Sequence, residues 1–132
     1  MVFKSEKWEL DTEKITVRNI SDGKIYEFYT DHIRYHLHNS EEYFPERLQK
    51  LVDNGEILEY LEELEIKVTD EINAQTEIYM NDSKAYQTAL DSGNLVEVGK
   101  IGNMLREKAK ESVYNSMIYI YSNSIIDKSI KI

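Results

Sequence analysis

Apolar residues between positions 57 and 79 recur at intervals of three, four and seven, and this spacing constrains the fold more than any other feature of the chain. The residues that share it are Ile57, Leu61, Leu64, Val68, Ile72 and Tyr79. Such intervals place side chains on one face of an α-helix. The spacing therefore predicts a long amphipathic helix, which is stable only when another element covers its apolar face.

A second long helix, predicted after residue 94, would cover the apolar face of the first. Asn94 is a suitable N-cap, and a stripe of small or apolar residues follows it: Leu95, Val98, Gly102, Leu105, Ala109, Ser112, Ser116 and Ile120. We expect the two long helices to pack antiparallel. Gly99 and Gly102 would allow a neighbouring helix to approach closely, at a propensity cost of about 1 kcal/mol each.

The N-terminal region has the pattern of β-strands. Residues 14–29 combine alternating apolar side chains with a Ser-Asp-Gly turn at 21–23, which predicts a β-hairpin. Trp8 and Leu10 either add a short strand before the hairpin or pack on it.

Two short helices are predicted between the hairpin and the first long helix. Thr30 is a plausible N-cap of a helix that runs to about His38 and is broken at 39–40. Pro45 suits the first turn of the next helix, since its missing N–H would have no partner there, and the Asn-Gly pair at 54–55 ends it.

These elements predict a mainly α (α+β) fold, with an N-terminal β-hairpin followed by two long antiparallel helices and two or three short ones. One of the short helices covers 84–90. A chain of 132 residues, 41% of them hydrophobic, is long enough for a single domain with a real core. We expect one domain over 1–132, divided into a hairpin region at 1–29, a helical region at 30–121 and an unassigned tail at 122–132.

Several apolar residues lie off the two helical stripes. They either fill a second buried face or form an oligomer contact such as that of a homodimer: Leu58, Met80, Met104, Tyr114, Tyr119 and Tyr121.

The residue types exclude several classes of function. The chain has no Cys, so disulfides, thiolate metal sites and Cys nucleophiles are excluded. It contains no Gly-x-Ser-x-Gly elbow, no glycine-rich phosphate loop and no HExxH pattern. The N-terminus lacks the apolar core of a signal peptide, and no apolar run approaches the length of a membrane span. We therefore expect a cytoplasmic, non-enzymatic protein without a cofactor or membrane contact.

Negative charge is concentrated in one segment. Residues 41–77 carry twelve acidic and three basic side chains, a net of −9 that equals the formal charge of the whole protein. On the predicted helix, helical spacing places Glu56, Glu59, Glu63, Asp70 and Glu77 on one face, and Glu62 and Glu65 widen it. A solvated face is the simplest interpretation. The alternative is a binding site for a basic partner, while a carboxylate metal site or glycosidase pair has the least support because no convergent His accompanies it.

Two further groups of residues were weighed for function. His32 and His36 have the i,i+4 spacing that can bind one metal ion, although ordinary surface or partly buried histidines are favoured and we predict no metal site. A modest basic cluster on the last helix comprises Lys100, Arg106, Lys108 and Lys110. A solvated face that balances the acidic helix is the favoured interpretation, and DNA contact is the minority one, because DNA-binding domains usually carry net positive charge.

Residues 32–121 resemble the TnpV family, small proteins encoded on transposons and other bacterial mobile elements. Three groups of residues carry the resemblance: His32-Ile33-Arg34-Tyr35; Pro45 followed by Gly55-x-Ile57-x-x-x-Leu61-x-x-Leu64; and Glu97, Asn103, Arg106, Ala109 and Glu111, ending in Met117-Ile118-Tyr119. The chain departs from the family at Val98, where Trp is frequent, and at Gly99 and Gly102, which replace bulkier residues. The resemblance implies a mobile-element context and no catalytic residues.

The sequence and the resemblance together lead to a functional expectation. We expect a mobile-element-encoded inhibitor of a host nucleic-acid-binding defence protein, in the manner of an anti-CRISPR that mimics nucleic acid. Its acidic face would occupy a basic groove that normally holds a duplex through Lys and Arg contacts, using Glu56, Glu59, Glu62, Glu63, Asp70 and Glu77. Direct binding of nucleic acid is not expected. The alternative is a transposon accessory protein that contacts DNA through Lys100, Arg106, Lys108 and Lys110 on its last helix.

Overall fold

Four short strands at the N-terminus form an antiparallel sheet in which each strand pairs with the next along the chain. The computed structural model describes residues 1–119. Its strands are β1 (Val2–Lys4), β2 (Trp8–Asp11), β3 (Thr16–Asn19) and β4 (Ile25–Glu27). The predicted hairpin is confirmed as β3 and β4, and the optional strand at Trp8 is β2. Strand β1 was not predicted, because its three residues are too few to establish an alternating pattern.

The register of the sheet explains which face is buried. Phe3 pairs with Leu10, Leu10 with Val17, and Val17 with Tyr26. Side chains that lie opposite one another in neighbouring strands share a face of the sheet, so these four residues form a row across all strands. Phe3, Leu10 and Val17 are buried in the core against the helices.

Five α-helices follow the sheet within the described residues, and the predicted mainly helical α+β fold is confirmed. They are α1 (Asp31–Tyr43), α2 (Pro45–Asp53), α3 (Ile57–Asp82), α4 (Lys84–Ser92) and α5 (Leu95–Val113), with a π-helical turn at Tyr114–Ile118. No helix within residues 1–119 combines the length and the apolar character needed to cross a membrane. The tail at 122–132, together with Ile120 and Tyr121, lies outside the described residues.

The predicted end of α1 near His38 is wrong, since the helix continues to Tyr43. Ser40 is buried inside it, and the N–H of Phe44 closes the last turn by donating to the Ser40 carbonyl at 2.7 Å. Phe44 leaves helical geometry because it precedes Pro45, whose ring disfavours the α conformation in the residue before it. Proline therefore ends α1, and the Asn-Ser pair does not.

The long helices α3 and α5 pack antiparallel, as predicted. The Arg106 guanidinium donates to Oδ1 of Asn73 at 3.0 Å, and Gly102 faces the methyl group of Met80. Later residues of α3 thus meet earlier residues of α5. The expectation of close approach holds for one of the two glycines. A Cβ on Gly102 would lie 3.3 Å from Met80 Cε, whereas no packing neighbour among residues 1–119 lies within 4 Å of a Cβ built on Gly99.

The predicted apolar stripe of α5 is wrong at both ends. Leu95 is 81% exposed, and Ser112 and Ser116 are exposed as well. The π-helical turn shifts the buried positions, since its hydrogen bond from the Tyr119 N–H to the Tyr114 carbonyl encloses one more residue than an α-helical turn. The buried residues there are Val113, Tyr114 and Ile118.

Apolar residues off the stripes have different environments. Tyr114 is buried in the core, and Tyr119 and Leu58 are partly buried against it. Met80 lies against Gly102. Met104 remains 62% exposed.

Candidate functional site

The outward face of α3 is acidic along most of its length. Its buried side consists of Ile57, Leu61, Leu64, Val68, Ile72 and Thr76. At 3.6 residues per turn, the opposite side carries the predicted carboxylates, of which Glu63 is partly buried and the others are exposed: Glu56, Glu59, Glu62, Glu63, Asp70 and Glu77. The positions from Glu56 to Glu77 span roughly 30 Å at a rise of 1.5 Å per residue. We call these six residues the acidic face.

No salt bridge among residues 1–119 involves a carboxylate of the acidic face. The ion pairs there involve Glu9, Asp31 and Glu41 instead. Lys67 is the only base on α3, and it acts on Glu63 by partly offsetting the rise in its pKa. The acidic face therefore presents largely uncompensated charge to solvent.

Glu59 and Glu63 show the consequence of this crowding. Partial burial raises the pKa of Glu63, and the Glu59 carboxylate one turn away raises it further by repulsion and by a side-chain hydrogen bond. Two carboxylates that repel each other favour binding of a proton or of a nearby cation. A Lys or Arg side chain from another molecule would relieve the repulsion.

Glu65, expected to widen the acidic face, has a structural contact instead. Its Oε2 accepts a hydrogen bond of 2.9 Å from the Thr30 hydroxyl. Thr30 is the N-cap residue of α1, as predicted, but its side chain does not cap the helix because it is bonded to Glu65. This contact fixes the start of α1 against α3.

A groove between β4 and α3 borders the acidic face. One wall comes from the strand side and the other from the helix, and its lining residues are Tyr26, Glu27, Phe28, Leu58, Glu62, Glu65 and Ile66. Its volume is about 280 Å³, which lies below the range of most small-molecule pockets. The sequence analysis missed the groove. Leu58, Glu62, Glu65 and Ile66 follow helical spacing and mark one side of α3, but no local pattern indicated that β4 would lie beside them.

The basic residues of α5 are mostly engaged with their own fold. Arg106 donates to Asn73, the Lys108 ammonium lies 4.6 Å from the centre of the Tyr79 ring, and the Lys110 ammonium lies 4.0 Å from an Asp31 carboxylate oxygen. Lys100 is exposed. These contacts direct three of the four cations towards neighbouring helices, so they do not form a common surface for phosphates.

The two histidines of α1 contact other side chains. His32 Nδ1 lies 2.5 Å from the Tyr114 hydroxyl, and His36 bonds to Tyr60 and to the Ile118 carbonyl. Within residues 1–119, no group of three or more His, Asp or Glu side chains is arranged to hold a metal ion. The geometry assigns both histidines to packing between helices.

Comparison of the chain with protein-family models, with characterised proteins and with solved structures returned no match. The resemblance to the TnpV family therefore stays a prediction.

Proposed function

We propose that this protein is a non-enzymatic binding protein that inhibits a nucleic-acid-binding protein by placing the acidic face of α3 in its basic channel. The observation that carries the proposal is a row of carboxylates, roughly 30 Å long, without ion-pair partners in the part of the chain that the structure describes. The row lies on a helix whose other side is buried in the core.

The energetics of the row support a role in binding. Like charges one turn apart destabilise a helix by a few tenths of a kcal/mol per pair, and this cost disappears when a basic surface approaches. Because α3 is held by its buried side, the backbone that carries the charges is already in place before binding. A concentrated acidic field also accelerates encounter with a basic partner and repels free nucleic acid.

The class of partner follows from the charge and the shape of the face. Channels that hold nucleic acid through Lys and Arg contacts to its backbone, such as those of CRISPR effectors, present a long basic surface. The resemblance to the TnpV family supplies a mobile-element context, in which inhibition of a host defence protein is a coherent role. On this proposal the protein competes with the nucleic acid and does not bind it.

Direct contact with DNA through α5 is the weaker alternative. Three of its four candidate cations already contact Asn73, Tyr79 or Asp31 within the fold. A mobility-shift assay with the purified protein separates the two functions, since the proposed inhibitor leaves free DNA unshifted.

The test is capture of the partner from bacterial cytosol on three versions of the immobilised protein. The acidic-face variant replaces five carboxylates with amides: Glu56→Gln, Glu59→Gln, Glu62→Gln, Glu63→Gln and Asp70→Asn. The matched control removes the same charge from exposed residues elsewhere: Glu6→Gln, Glu13→Gln, Glu42→Gln, Glu107→Gln and Glu111→Gln.

The proposal predicts that the wild type and the control retain a basic nucleic-acid-binding protein at low salt and release it at high salt. The acidic-face variant should not retain it. Equal capture by the two variants would show that net charge, and not this face, determines binding.

A further inference from the structure

Among residues 1–119, no further strand pairs with the outer edge of the sheet at β4. The Asn19 N–H donates to the Lys24 carbonyl at 2.9 Å, and the Phe28 N–H donates to the Ile15 carbonyl at 3.1 Å. Backbone groups in an antiparallel strand point alternately towards and away from the partner strand. The N–H and C=O groups of Ile25 and Glu27 therefore point away from β3, and within the described residues β4 is the last strand of the sheet.

Apolar side chains are exposed beside this edge. Ile66 on α3 is 61% exposed, and Ile25 on β4 is 56% exposed. Tyr26 and Phe28 line the groove on the strand side, and Leu58 and Ile66 line it on the helix side. An open strand edge beside an apolar helix wall is the arrangement in which proteins bind an extended peptide as an added strand.

The charge of the groove favours a basic occupant. Three of its seven lining residues, Glu27, Glu62 and Glu65, are acidic, and none is basic. Glu62 also belongs to the acidic face, so the groove continues that surface towards the sheet. A second copy of this chain would bring its own acidic edge against Glu27, which like-charge repulsion disfavours.

We propose that the groove binds an extended basic segment of the partner protein, which adds a fifth strand along β4. Its backbone pairs with the outward groups of Ile25 and Glu27. Its apolar side chains contact Leu58 and Ile66, and its Lys and Arg side chains lie beside the carboxylates of the rim. This inference rests on the proposed function, because it assigns part of the same basic partner to a surface continuous with the acidic face.

The experiment measures the fluorescence anisotropy of a labelled octapeptide of alternating lysine and valine, titrated with the full-length protein. The comparison peptide has four lysines followed by four valines. Both have the same charge, but only the alternating peptide presents one basic and one apolar face as a strand. The proposal predicts that the alternating peptide binds at least about tenfold more tightly, a difference that corresponds to about 1.4 kcal/mol.

The first pair of variants tests the strand edge. Ile25→Pro removes an outward N–H and leaves the bonds to β3 in place, as proline does on edge strands. Val2→Pro is the matched control on the opposite edge, because the Thr12 to Met1 and Ser5 to Trp8 bonds leave the N–H of Val2 pointing outward. We expect Ile25→Pro to weaken peptide binding about tenfold and Val2→Pro to leave it within about twofold, given the cost of one lost hydrogen-bond donor.

The second pair tests the helix wall. Ile66→Lys removes apolar contact and repels the peptide, and Ile78→Lys makes the same change at a position of α3 that is 51% exposed and does not line the groove. The proposal predicts weaker binding for Ile66→Lys alone. Both substitutions replace exposed helical residues, so neither should unfold the protein.

Several results would overturn the proposal. They are no binding of the alternating peptide, equal binding of the two peptides, unchanged affinity in Ile25→Pro, or a wild-type dimer that Ile25→Pro dissociates. The two proposals fail separately. If the acidic-face variant loses the captured partner while Ile25→Pro retains it, the proposed function stands without the groove. If both variants retain the captured partner, the proposed function fails, whatever the result of the peptide titration.

Discussion

His36 and Tyr60 form a partly buried hydrogen bond that joins α1 to α3, with the His36 Nε2 atom 2.7 Å from the Tyr60 hydroxyl oxygen. The other ring nitrogen, Nδ1, lies 3.2 Å from the Ile118 carbonyl oxygen. Because a carbonyl can only accept, Nδ1 carries the proton and Nε2 accepts from Tyr60. The neutral imidazole thus satisfies both neighbours and ties α1, α3 and the π-helical turn together.

Protonation of His36 should destabilise the fold at acid pH. Burial lowers the pKa of His36 from 6.5 to about 4, because a charged ring would lack solvent and would lose its acceptor nitrogen. Between these two pH values the unfolded chain takes up the proton and the folded chain does not. The contribution of His36 to the free energy of unfolding is therefore complete above pH 6.5 and is lost as the pH falls towards 4. The loss is about 1.4 kcal/mol per pH unit, or about 3 kcal/mol in all.

An NMR titration of the folded protein checks this directly. The His36 ring should keep its neutral shifts until the pH approaches 4. Titration of His36 at the ordinary histidine pKa would contradict the hydrogen-bond assignment.

Removal of the Tyr60 hydroxyl should destabilise the fold. Tyr60→Phe leaves the Nε2 atom of the fully buried His36 without its closest donor, and an unsatisfied buried acceptor costs about 1–3 kcal/mol. Tyr43→Phe is the control, since Tyr43 is 58% exposed. Urea unfolding should give a lower midpoint for Tyr60→Phe alone, and equal midpoints would contradict the role of the bond.

The glycines of the α4–α5 region should respond differently to alanine. No packing neighbour in the described part of the chain lies within 4 Å of a Cβ at Gly99, so Gly99→Ala should raise the free energy of unfolding by about 0.5–1 kcal/mol through helix propensity. Gly102→Ala should gain less, because Met80 must shift. Gly93 has a φ of 70°, and Gly93→Ala should lower stability by about 1 kcal/mol.

Thermal unfolding of the three single variants measures this order. The midpoint should rise most for Gly99→Ala, rise less for Gly102→Ala and fall for Gly93→Ala. A destabilised Gly99→Ala would mean that a neighbouring element approaches this part of α5.

The acidic face should be slightly unfavourable for stability. Glu63→Gln removes repulsion with Glu59 and should raise the free energy of unfolding slightly at low salt, with a smaller gain at high salt. Glu111→Gln, an exposed change on α5, is the comparison. Urea unfolding at two salt concentrations measures the effect, and a destabilised, salt-insensitive Glu63→Gln would contradict the account of the face.

Much of the helical fold could be predicted from local sequence. The intervals from Ile57 to Ile72 identified α3, and Asn94 identified the start of α5, where its side chain accepts from the Glu97 N–H. These signals are local, because helix periodicity and capping involve residues at most a few positions apart.

The features that could not be predicted depend on contacts between distant residues. The length of α1 reflects burial of Ser40 beside His36, and the π-helical turn places the Ile118 carbonyl against the same histidine. The groove needs β4 and α3 to meet. The carboxylates of α3 could be placed on one face from the sequence, since helical spacing alone sets that arrangement. Residue spacing does not show whether a partner binds there.

The most direct measurement of the central claim is competition between this protein and nucleic acid for the captured partner. Labelled duplex bound to the partner is titrated with the wild type, the acidic-face variant and the matched charge control, at two salt concentrations. The account predicts that the wild type and the control release the duplex, less effectively at high salt, and that the acidic-face variant does not. Equal release by all three versions would contradict the claim that the carboxylates of α3 mimic nucleic acid.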